Sequence, residues 1–163
     1  MPDLFKNMKI LLASDHAGFE LKKALIEKLK PFYELEDFGT HGPGSVDYPD
    51  FADQVAQKIQ ALNQPPDQDP LKTTPSVVGL LICGSGQGIC MRANKYPSVR
   101  AALCLAPLHA QLSREHNNAN TLCLGARFLS ADEAFEITQV FLKTPFAGDR
   151  HTARVKKLNS AIK

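Results

Sequence analysis

A cysteine followed at once by a glycine-rich turn is the feature of this sequence that most directly suggests chemistry. The stretch LLICGSGQGI, residues 80–89, runs from apolar side chains into Cys83 and then into Gly84, Gly86 and Gly88. In such a tight loop the backbone N–H groups converge at the start of a helix, where they stabilise a phosphate or a developing oxyanion. The same helix end favours the thiolate form of a nearby cysteine. Cys83 is therefore a candidate base or nucleophile, and the alternative is a buried thiol that ends a strand.

The spacing of these glycines does not match the two common nucleotide-binding motifs. A dinucleotide fingerprint has the pattern G-x-G-x-x-G, usually in the first strand–helix turn, and an acidic residue ends the next strand. Here the glycines follow the third predicted strand as G-x-G-x-G, and the next strand ends in Leu105-Ala106. A P-loop requires a Gly-Lys pair, which the sequence lacks. Both nucleotide interpretations are therefore rejected.

Two histidines are candidates for proton transfer. His16 follows Asp15 in the turn after the first predicted strand, and His116 lies near the end of the fourth predicted helix. An imidazole group is suited to acid–base work near neutral pH, but at a helix end it is equally suited to hydrogen-bonding the last carbonyl groups. The remaining histidines have no independent argument for catalysis; they are His41, His109 and His151.

Arg150 and Arg154 are the candidates for recognition of an anion. They stand four residues apart and share a face of the last predicted helix if that helix begins by Arg150. Paired guanidinium groups suit phosphate recognition. From the residues alone, however, a solvated basic face continued by Lys156 and Lys157 is the preferred interpretation.

The elements that must hold these residues alternate between short apolar runs and amphipathic stretches. Strands are predicted at 8–14, 33–39, 77–84, 99–105 and 121–127. Helices are predicted at 19–30, 51–62, 89–96, 108–116, 130–143 and 152–163, and Ser130 with Glu133 forms a capping-box pattern. Mostly apolar strands that alternate with helices predict an α/β fold, a three-layer α/β/α sandwich around a five-stranded parallel, Rossmann-like sheet.

This architecture predicts where a ligand would bind. In open α/β sheets ligands lie beyond the carboxyl ends of the strands. The residues that directly follow the predicted strands are therefore the ones to consider: 15–18, 39–42, 83–86, 106–107 and Arg127.

Composition narrows the class of protein. A chain of 163 residues that is 44% apolar is expected to form one domain, 1–163, with the proline-rich stretch 64–76 as a surface loop. The net charge of +2 and the scattered basic residues argue against a nucleic-acid surface. The apolar runs are too short to cross a membrane and the first residues lack a signal-peptide pattern, so a cytoplasmic protein is expected. The four cysteines form no C-x-x-C pair, so neither a zinc site nor a disulfide framework is indicated.

A series of motifs runs in order along the chain: SDHAGFELK (14–22), DFGT (37–40), DYP (47–49), ICGSGQGI (82–89), ANK (93–95), Arg100-Ala101, AQLSREHNNAN (110–120), GAR (125–127) and GDRHTARV (148–155). Together they resemble the type B ribose-5-phosphate isomerases of the ribose/galactose-phosphate isomerase family, from Met8 to about Ile162. The resemblance implies an aldose–ketose isomerase of the pentose phosphate pathway that needs no metal and no cofactor. It would interconvert D-ribose 5-phosphate and D-ribulose 5-phosphate through an enediolate.

The resemblance also implies roles for particular residues. Cys83 would be the base that takes the C2 proton, Ser85 would place a hydroxyl beside O1 and O2, and His116 would open the sugar ring. The implied substrate-binding residues are Asp15, His16, Tyr48, Gly84, Ser85, Gly86, Gln87, Gly88, Asn117, Arg127, Arg150 and Arg154. Asp15, His16 and Asn117 would contact the sugar, and the three arginines would bind its phosphate, which reverses the preference for a solvated face.

The family resemblance further implies a homo-oligomer, a dimer or a tetramer, whose site is completed across the dimer interface. This sequence departs from the family pattern in four places. Ser85 stands where many relatives carry threonine, and Gln87 is less usual than an apolar residue. The loop 64–76 is longer, and residues 1–7 are additional.

Three alternatives remain open at this point. The first is a sister isomerase acting on allose 6-phosphate or galactose 6-phosphate, since sequence does not measure pocket length. The second is a non-catalytic sugar-phosphate sensor on the same fold, although both Cys83 and His116 are retained. The third is a redox-sensing protein, for which Cys90, seven residues after Cys83, is a poorly placed resolving partner.

Overall fold

A computed structural model describes residues 7–62, 75–160 and 162 of the chain. Strands and helices alternate from β1 to α5 and a final helix, α6, follows. The predicted surface loop 64–76 lies outside the described residues except for its last two positions, and the N-terminal extension is described only at Asn7. The prediction of one domain over 1–163 stays a prediction.

The strands form one sheet in which every neighbouring pair is parallel. They are β1 (Lys9–Ser14), β2 (Glu34–Asp37), β3 (Val77–Cys83), β4 (Ala101–Leu103) and β5 (Thr121–Gly125). Their order across the sheet is β2-β1-β3-β5-β4, so β3 is the central strand and ends at the glycine loop. The predicted five-stranded parallel sheet is confirmed.

The helices differ from the predicted ranges mainly at their ends. They are α1 (Phe19–Leu29), α2 (Tyr48–Leu62), α3 (Gln87–Ala93), α4 (Pro107–Asn117), α5 (Ala131–Lys143) and α6 (Arg150–Leu158). The capping box is confirmed, since Ser130 Oγ accepts from the Glu133 N–H and Glu133 accepts from the Ser130 N–H. Helix α2 begins earlier than predicted because Pro49 suits the first turn of a helix. The predicted continuation of the last helix to 163 is wrong, because α6 ends at Leu158.

Strand β4 is much shorter than the predicted run 99–105, and side chains explain the difference. The Asn94 carboxamide accepts from the Ala101 N–H at 2.8 Å and donates to the Ala101 carbonyl at 2.9 Å, in place of a neighbouring strand. The Arg100 N–H donates to Asn120 Oδ1 at 2.9 Å. At the other end the Leu105 N–H donates to His109 Nδ1 at 3.2 Å. These side chains satisfy backbone groups that a longer edge strand would leave open.

Apolar side chains cover both faces of the sheet. On one face α1 and α5 contribute Leu25, Ile137 and Phe141 to a buried cluster with the even-numbered side chains of β1. On the other face α2 and α3 contribute residues such as Ile59 and Ile89 to a second cluster, which includes Cys83. The predicted three-layer sandwich is therefore confirmed. Within the described residues, no helix is long and apolar enough to span a membrane.

Candidate active site

Cys83 ends the central strand with its thiol held inside the glycine loop. The residue is 4% exposed, and its Sγ accepts a hydrogen bond from the Gly86 N–H at 3.1 Å. Gly86 is the residue before α3 and has φ +77°, a left-handed conformation that suits glycine. Ser85 Oγ accepts from the N–H of Gln87, the exposed first residue of α3, at 3.3 Å. A donor aimed at the sulfur suits a thiolate that serves as a base.

The glycines of this loop make room for two other predicted site residues. A Cβ atom at Gly84 would lie 2.9 Å from Cζ of Arg127, so the guanidinium group rests against the loop backbone. A Cβ atom at Gly88 would lie 2.5 Å from Cζ of Tyr48, at the start of α2. The loop thus contacts Arg127 and Tyr48, two of the residues predicted to bind substrate.

Gly86 is the loop position that tolerates a side chain least. A Cβ atom there would lie 2.6 Å from Leu103 Cδ1 and 2.8 Å from the Leu124 backbone, and the backbone has a positive φ. We expect Gly86→Ala to lower the free energy of unfolding by about 2 kcal/mol or more and Tm by about 4–8 °C. Gly44→Ala is the matched control, because no atom lies within 4 Å of its Cβ position. Equal Tm values for the two variants, measured by thermal denaturation, would contradict this prediction.

The turn after β5 supports the glycine loop from behind. The Ala126 N–H donates to the Cys83 carbonyl at 2.9 Å, and the Arg127 N–H donates to the Gly84 carbonyl at 3.0 Å. A Cβ atom at Gly125 would lie 2.6 Å from the Ser85 carbonyl oxygen. The GAR motif therefore fixes the loop in place while it presents the exposed Arg127 side chain to solvent.

The turn after β1 carries Asp15 and His16 to the same edge of the sheet. The Asp15 N–H donates to the Ile82 carbonyl at 3.2 Å, directly before Cys83. Asp15 Oδ1 accepts from the Gly18 N–H at 3.0 Å, and the residue is only 7% exposed. His16 is exposed, and its Nδ1 accepts from the Val46 N–H at 3.2 Å, so the neutral ring carries its proton on Nε2.

The other predicted residues form a second group around the ends of α4 and α6. His116 and Asn117 are the last residues of α4, and Arg150 and Arg154 lie on α6, which begins at Arg150 as a shared face requires. The His116 ring stacks on the His151 ring with centroids 4.3 Å apart and planes at 14°. The sequence did not single out His151, although its position between the two arginines could have suggested it.

Charge and burial both act on His151. Desolvation lowers its pKa, electrostatic interaction with His116, Arg150 and Arg154 lowers it further, and the Asp149 carboxylate raises it. The second group is therefore a cationic surface, and an anion bound to it would favour the protonated form of the imidazole.

Two arginines, one buried and one half-buried, hold the end of α4 in place. Arg114, 2% exposed, donates from Nε to the Thr144 carbonyl at 3.1 Å and from Nη1 to Asn118 Oδ1 at 3.0 Å and to the Ala119 carbonyl. Arg100 donates from Nε to the Asn118 carbonyl at 2.8 Å. Burial lowers the pKa of each arginine to about 10, so both remain charged at neutral pH. The backbone that follows His116 and Asn117 is thereby anchored.

Within one chain, the residues around the Cys83 loop do not lie near the second group, which surrounds His116. Helix α4 runs antiparallel to the strands and ends at the edge of the sheet where the strands begin. There Asn120 accepts from the Gly79 N–H at 2.9 Å and donates to the Arg100 carbonyl at 3.0 Å. From Gly79 to Cys83 the strand rises by about 13 Å. Cys83 and His116 therefore lie at opposite edges of one subunit.

A cavity of about 790 Å³ lies at the edge of the sheet where the strands begin, rather than beside Cys83. It is bordered by polar residues such as Arg100, Asn117 and Asn159 and by apolar residues such as Val99 and Leu158. The residues around the Cys83 loop are absent from its lining. The Cys83 loop therefore lies outside this cavity, at the carboxyl ends of the strands.

The remaining cysteines behave as core residues. Cys90, Cys104 and Cys123 are all buried, and desolvation raises the pKa of Cys104 to about 12 and that of Cys123 well above its ordinary value. A hydrogen bond with Cys123 lowers the pKa of Cys90, but this thiol is buried. A redox sensor requires an exposed thiol with a low pKa. The redox alternative is therefore not favoured. Among residues 7–62, 75–160 and 162, no group of three or more His, Cys, Asp or Glu side chains is arranged to hold a metal ion.

Comparison with known proteins supports the resemblance. A family model described as Ribose/Galactose Isomerase matches residues 10–158. The chain belongs to this family. Over 154 residues it is 41% identical to a probable ribose-5-phosphate isomerase B of Mycoplasma genitalium, a match that covers 93% of this chain and 94% of the relative.

Solved structures of the family share the fold. The ribose-5-phosphate isomerase B of Clostridium thermocellum is 44% identical and superposes with a TM-score of 0.82, over 93% of this chain and 95% of the other. The ribose-5-phosphate isomerase B of Mycoplasma genitalium, solved with bound ribulose-5-phosphate, is 41% identical with a TM-score of 0.82, over 93% and 94%.

Proposed function

We propose that this protein is a ribose-5-phosphate isomerase that interconverts D-ribose 5-phosphate and D-ribulose 5-phosphate. The observation that carries the proposal is the match, at 41% identity over 93% of this chain, to the Mycoplasma genitalium isomerase whose structure holds ribulose-5-phosphate. The local geometry supports it, because a buried thiol, a glycine loop, an arginine and a tyrosine meet at the carboxyl end of β3.

Cys83 supplies the base in the proposed reaction. Its thiolate removes the C2 proton of the open-chain aldose, the electrons of that bond form the C1–C2 double bond, and the carbonyl oxygen O1 takes up negative charge. Backbone N–H groups of residues 84–88 stabilise this enediolate, with the Ser85 hydroxyl beside O1 and O2. A proton then passes from O2 to O1, beside the Ser85 hydroxyl, so that O1 becomes a hydroxyl and O2 becomes the ketone oxygen. The electrons of the C1–C2 double bond take back the proton from the Cys83 thiol at C1.

The remaining groups bind the substrate and prepare it. Asp15 and His16 contact sugar hydroxyls, Asn117 binds the sugar, and His116 transfers the proton that opens the furanose ring. Arg127, Arg150 and Arg154 bind the phosphate, since guanidinium groups match its oxygen atoms. The reaction needs neither a metal ion nor a cofactor in this scheme.

The proposed site is shared between two subunits of a homodimer. His116 and Cys83 lie at opposite edges of one chain, so a second copy must supply His116, Asn117, Arg150 and Arg154 to the Cys83 loop. Three large apolar side chains that follow β4 and β5 are exposed: Leu105 is 45% exposed, Leu108 59% and Phe128 59%. Such exposed apolar side chains are typical of a surface that a partner covers. Three further expectations stay predictions: assembly into a tetramer, a cytoplasmic location and a place in the pentose phosphate pathway.

A six-carbon substrate is the second candidate. The description Ribose/Galactose Isomerase spans both five- and six-carbon sugars, so the chemistry would be unchanged and the substrate longer. A non-catalytic sensor is less favoured, because the thiol, the glycine loop and the imidazole are all present.

Turnover of purified protein with a chelator distinguishes these functions. We expect rapid formation of ribulose 5-phosphate from D-ribose 5-phosphate and little activity on D-allose 6-phosphate measured in parallel. Activity on the six-carbon sugar alone would show that the substrate is a six-carbon sugar phosphate and would leave the proposed mechanism unchanged. Absence of both activities in a folded oligomer would favour a sensor, and loss of activity with the chelator alone would contradict the metal-free scheme.

Arg154 provides a test of phosphate recognition. Removing one charge-assisted hydrogen bond costs about 1.5–3 kcal/mol, so we expect Arg154→Ala to raise KM about 10- to 150-fold. Lys157→Ala is the control, because it removes a positive charge from the exposed surface of the same helix. Steady-state kinetics and inhibition by inorganic phosphate measure the effect. Equal KM values for the two variants would show that Arg154 does not bind the phosphate and belongs to a solvated basic face.

A further inference from the structure

Lys22 is a buried lysine in α1 to which the proposed reaction assigns no role. Its side chain is only 1% exposed, which is rare for lysine. Its Nζ donates to Asp37 Oδ1 at 2.5 Å and to the Thr40 carbonyl at 2.8 Å. Both acceptors belong to the segment 37–40, the DFGT motif, which also has no role in the reaction.

The segment 37–40 extends the sheet beyond the end of β2 and pairs with the end of β1. The Phe38 N–H donates to the Leu12 carbonyl at 2.8 Å. Ser14 then makes two backbone bonds of 2.7 Å, donating to the Gly39 carbonyl and accepting from the Thr40 N–H. The position of Ser14 therefore depends on where the segment 37–40 lies.

Ser14 is the residue directly before the turn that carries Asp15 and His16. The other end of this turn leads into α1, where the Lys22 N–H donates to the Gly18 carbonyl at 2.9 Å. Lys22 thus belongs to the first turns of the helix that follows Asp15 and His16. Its side chain reaches the segment that fixes the residue preceding them, so the two ends of the turn are tied together.

We propose that Lys22 is a positioning residue for substrate binding, whose ammonium group ties α1 to the segment 37–40 and so fixes Asp15 and His16. This rests on the proposed function, in which those two side chains contact sugar hydroxyls. An ammonium group can serve both acceptors at once because it has three donors. A methionine would fill a similar volume but would leave the Thr40 carbonyl and the Asp37 carboxylate without this donor.

The experiment compares Lys22→Met and Lys22→Arg with Lys28→Met. Lys28 lies on the same helix but is partly exposed and pairs with Asp132 at the surface, so its substitution is the matched control. We expect Lys22→Met to lower kcat/KM for ribose 5-phosphate by about 10- to 100-fold, mainly through KM, because the binding groups are displaced. Lys22→Arg, which keeps the charge and several donors, recovers part of the loss.

Amide hydrogen exchange supplies a readout that does not depend on turnover. In Lys22→Met the Ser14 and Thr40 amides are expected to exchange faster than in the wild type, while the Leu81 amide in the central strand keeps its protection. A lower Tm with an unchanged KM would make Lys22 a purely structural residue and overturn the proposal.

Two further outcomes remain decisive. If Lys22→Met does not fold, Asp37→Asn replaces it, since this variant weakens the same bond and keeps an acceptor; an unchanged KM there would also overturn the proposal. If the wild type shows no isomerase activity, the proposed function fails by itself. Unchanged exchange at Ser14 and Thr40 would then still exclude the positioning role of Lys22.

Discussion

Replacing Cys83 with alanine is expected to abolish isomerisation while the protein stays folded and still binds its substrate. A positioned general base contributes about 10²–10⁴-fold to a rate, and here no other base lies on the Cys83 loop. We therefore expect kcat to fall about 10³-fold or more. The Gly86 N–H loses its sulfur acceptor, but the backbone bonds from Ala126 and Arg127 continue to hold the loop.

Solvent deuterium isolates the step that Cys83 performs. In D₂O the wild type exchanges the C1 proton of ribulose 5-phosphate through the enediolate, and Cys83→Ala is expected to lose this exchange in parallel with turnover. Cys104→Ala is the control, because Cys104 is a fully buried thiol whose pKa is raised to about 12. Turnover by Cys83→Ala within tenfold of the control would show that the Cys83 thiol is not the base.

Mixing two inactive variants is expected to restore activity if the site is shared between subunits. His116→Ala removes the acid–base group for ring opening and is expected to lose about 10²–10⁴-fold in net isomerisation of ribose 5-phosphate. In a dimer formed from one Cys83→Ala chain and one His116→Ala chain, one site receives both altered residues. The other site receives neither and is intact, because Cys83 comes from one chain and His116 from the other.

The size of the recovery follows from statistics. Random assortment makes about half of the dimers mixed, and half of the sites in a mixed dimer are intact, so activity should reach about a quarter of the wild-type value. The chains are mixed by co-expression or by joint refolding, and each variant alone is the control. Without recovery, even though the subunits have exchanged, Cys83 and His116 would have to act within one chain. Full activity of His116→Ala alone would show that His116 has no role.

The sequence by itself determined the layers and most of the residues at the strand ends. Strands and helices are local patterns, because apolar periodicity and the Ser130–Glu133 cap depend on residues close together in the chain. Because the strands are predicted to be parallel, their carboxyl ends must lie at one edge, so the sequence alone groups Asp15, Cys83 and Arg127.

Only the tertiary structure decided which candidates share a subunit edge. The direction of α4 places His116 at the opposite edge from Cys83, and this separation depends on how Asn120 pairs with Gly79 and Arg100. Parallel strands already require α4 to return in this direction, but only the folded chain shows that α6, with Arg150 and Arg154, packs at the same end as His116, because that contact joins distant segments.

Long-range packing also decided two roles that residue type does not suggest. His151 stacks on His116 only because α6 returns to the end of α4. Lysines are ordinarily exposed, yet Lys22 is buried because Asp37, the last residue of β2, and the Thr40 carbonyl after it accept from its ammonium group. Such partners lie far away in sequence, and only the folded chain brings their charges and donors within hydrogen-bonding distance.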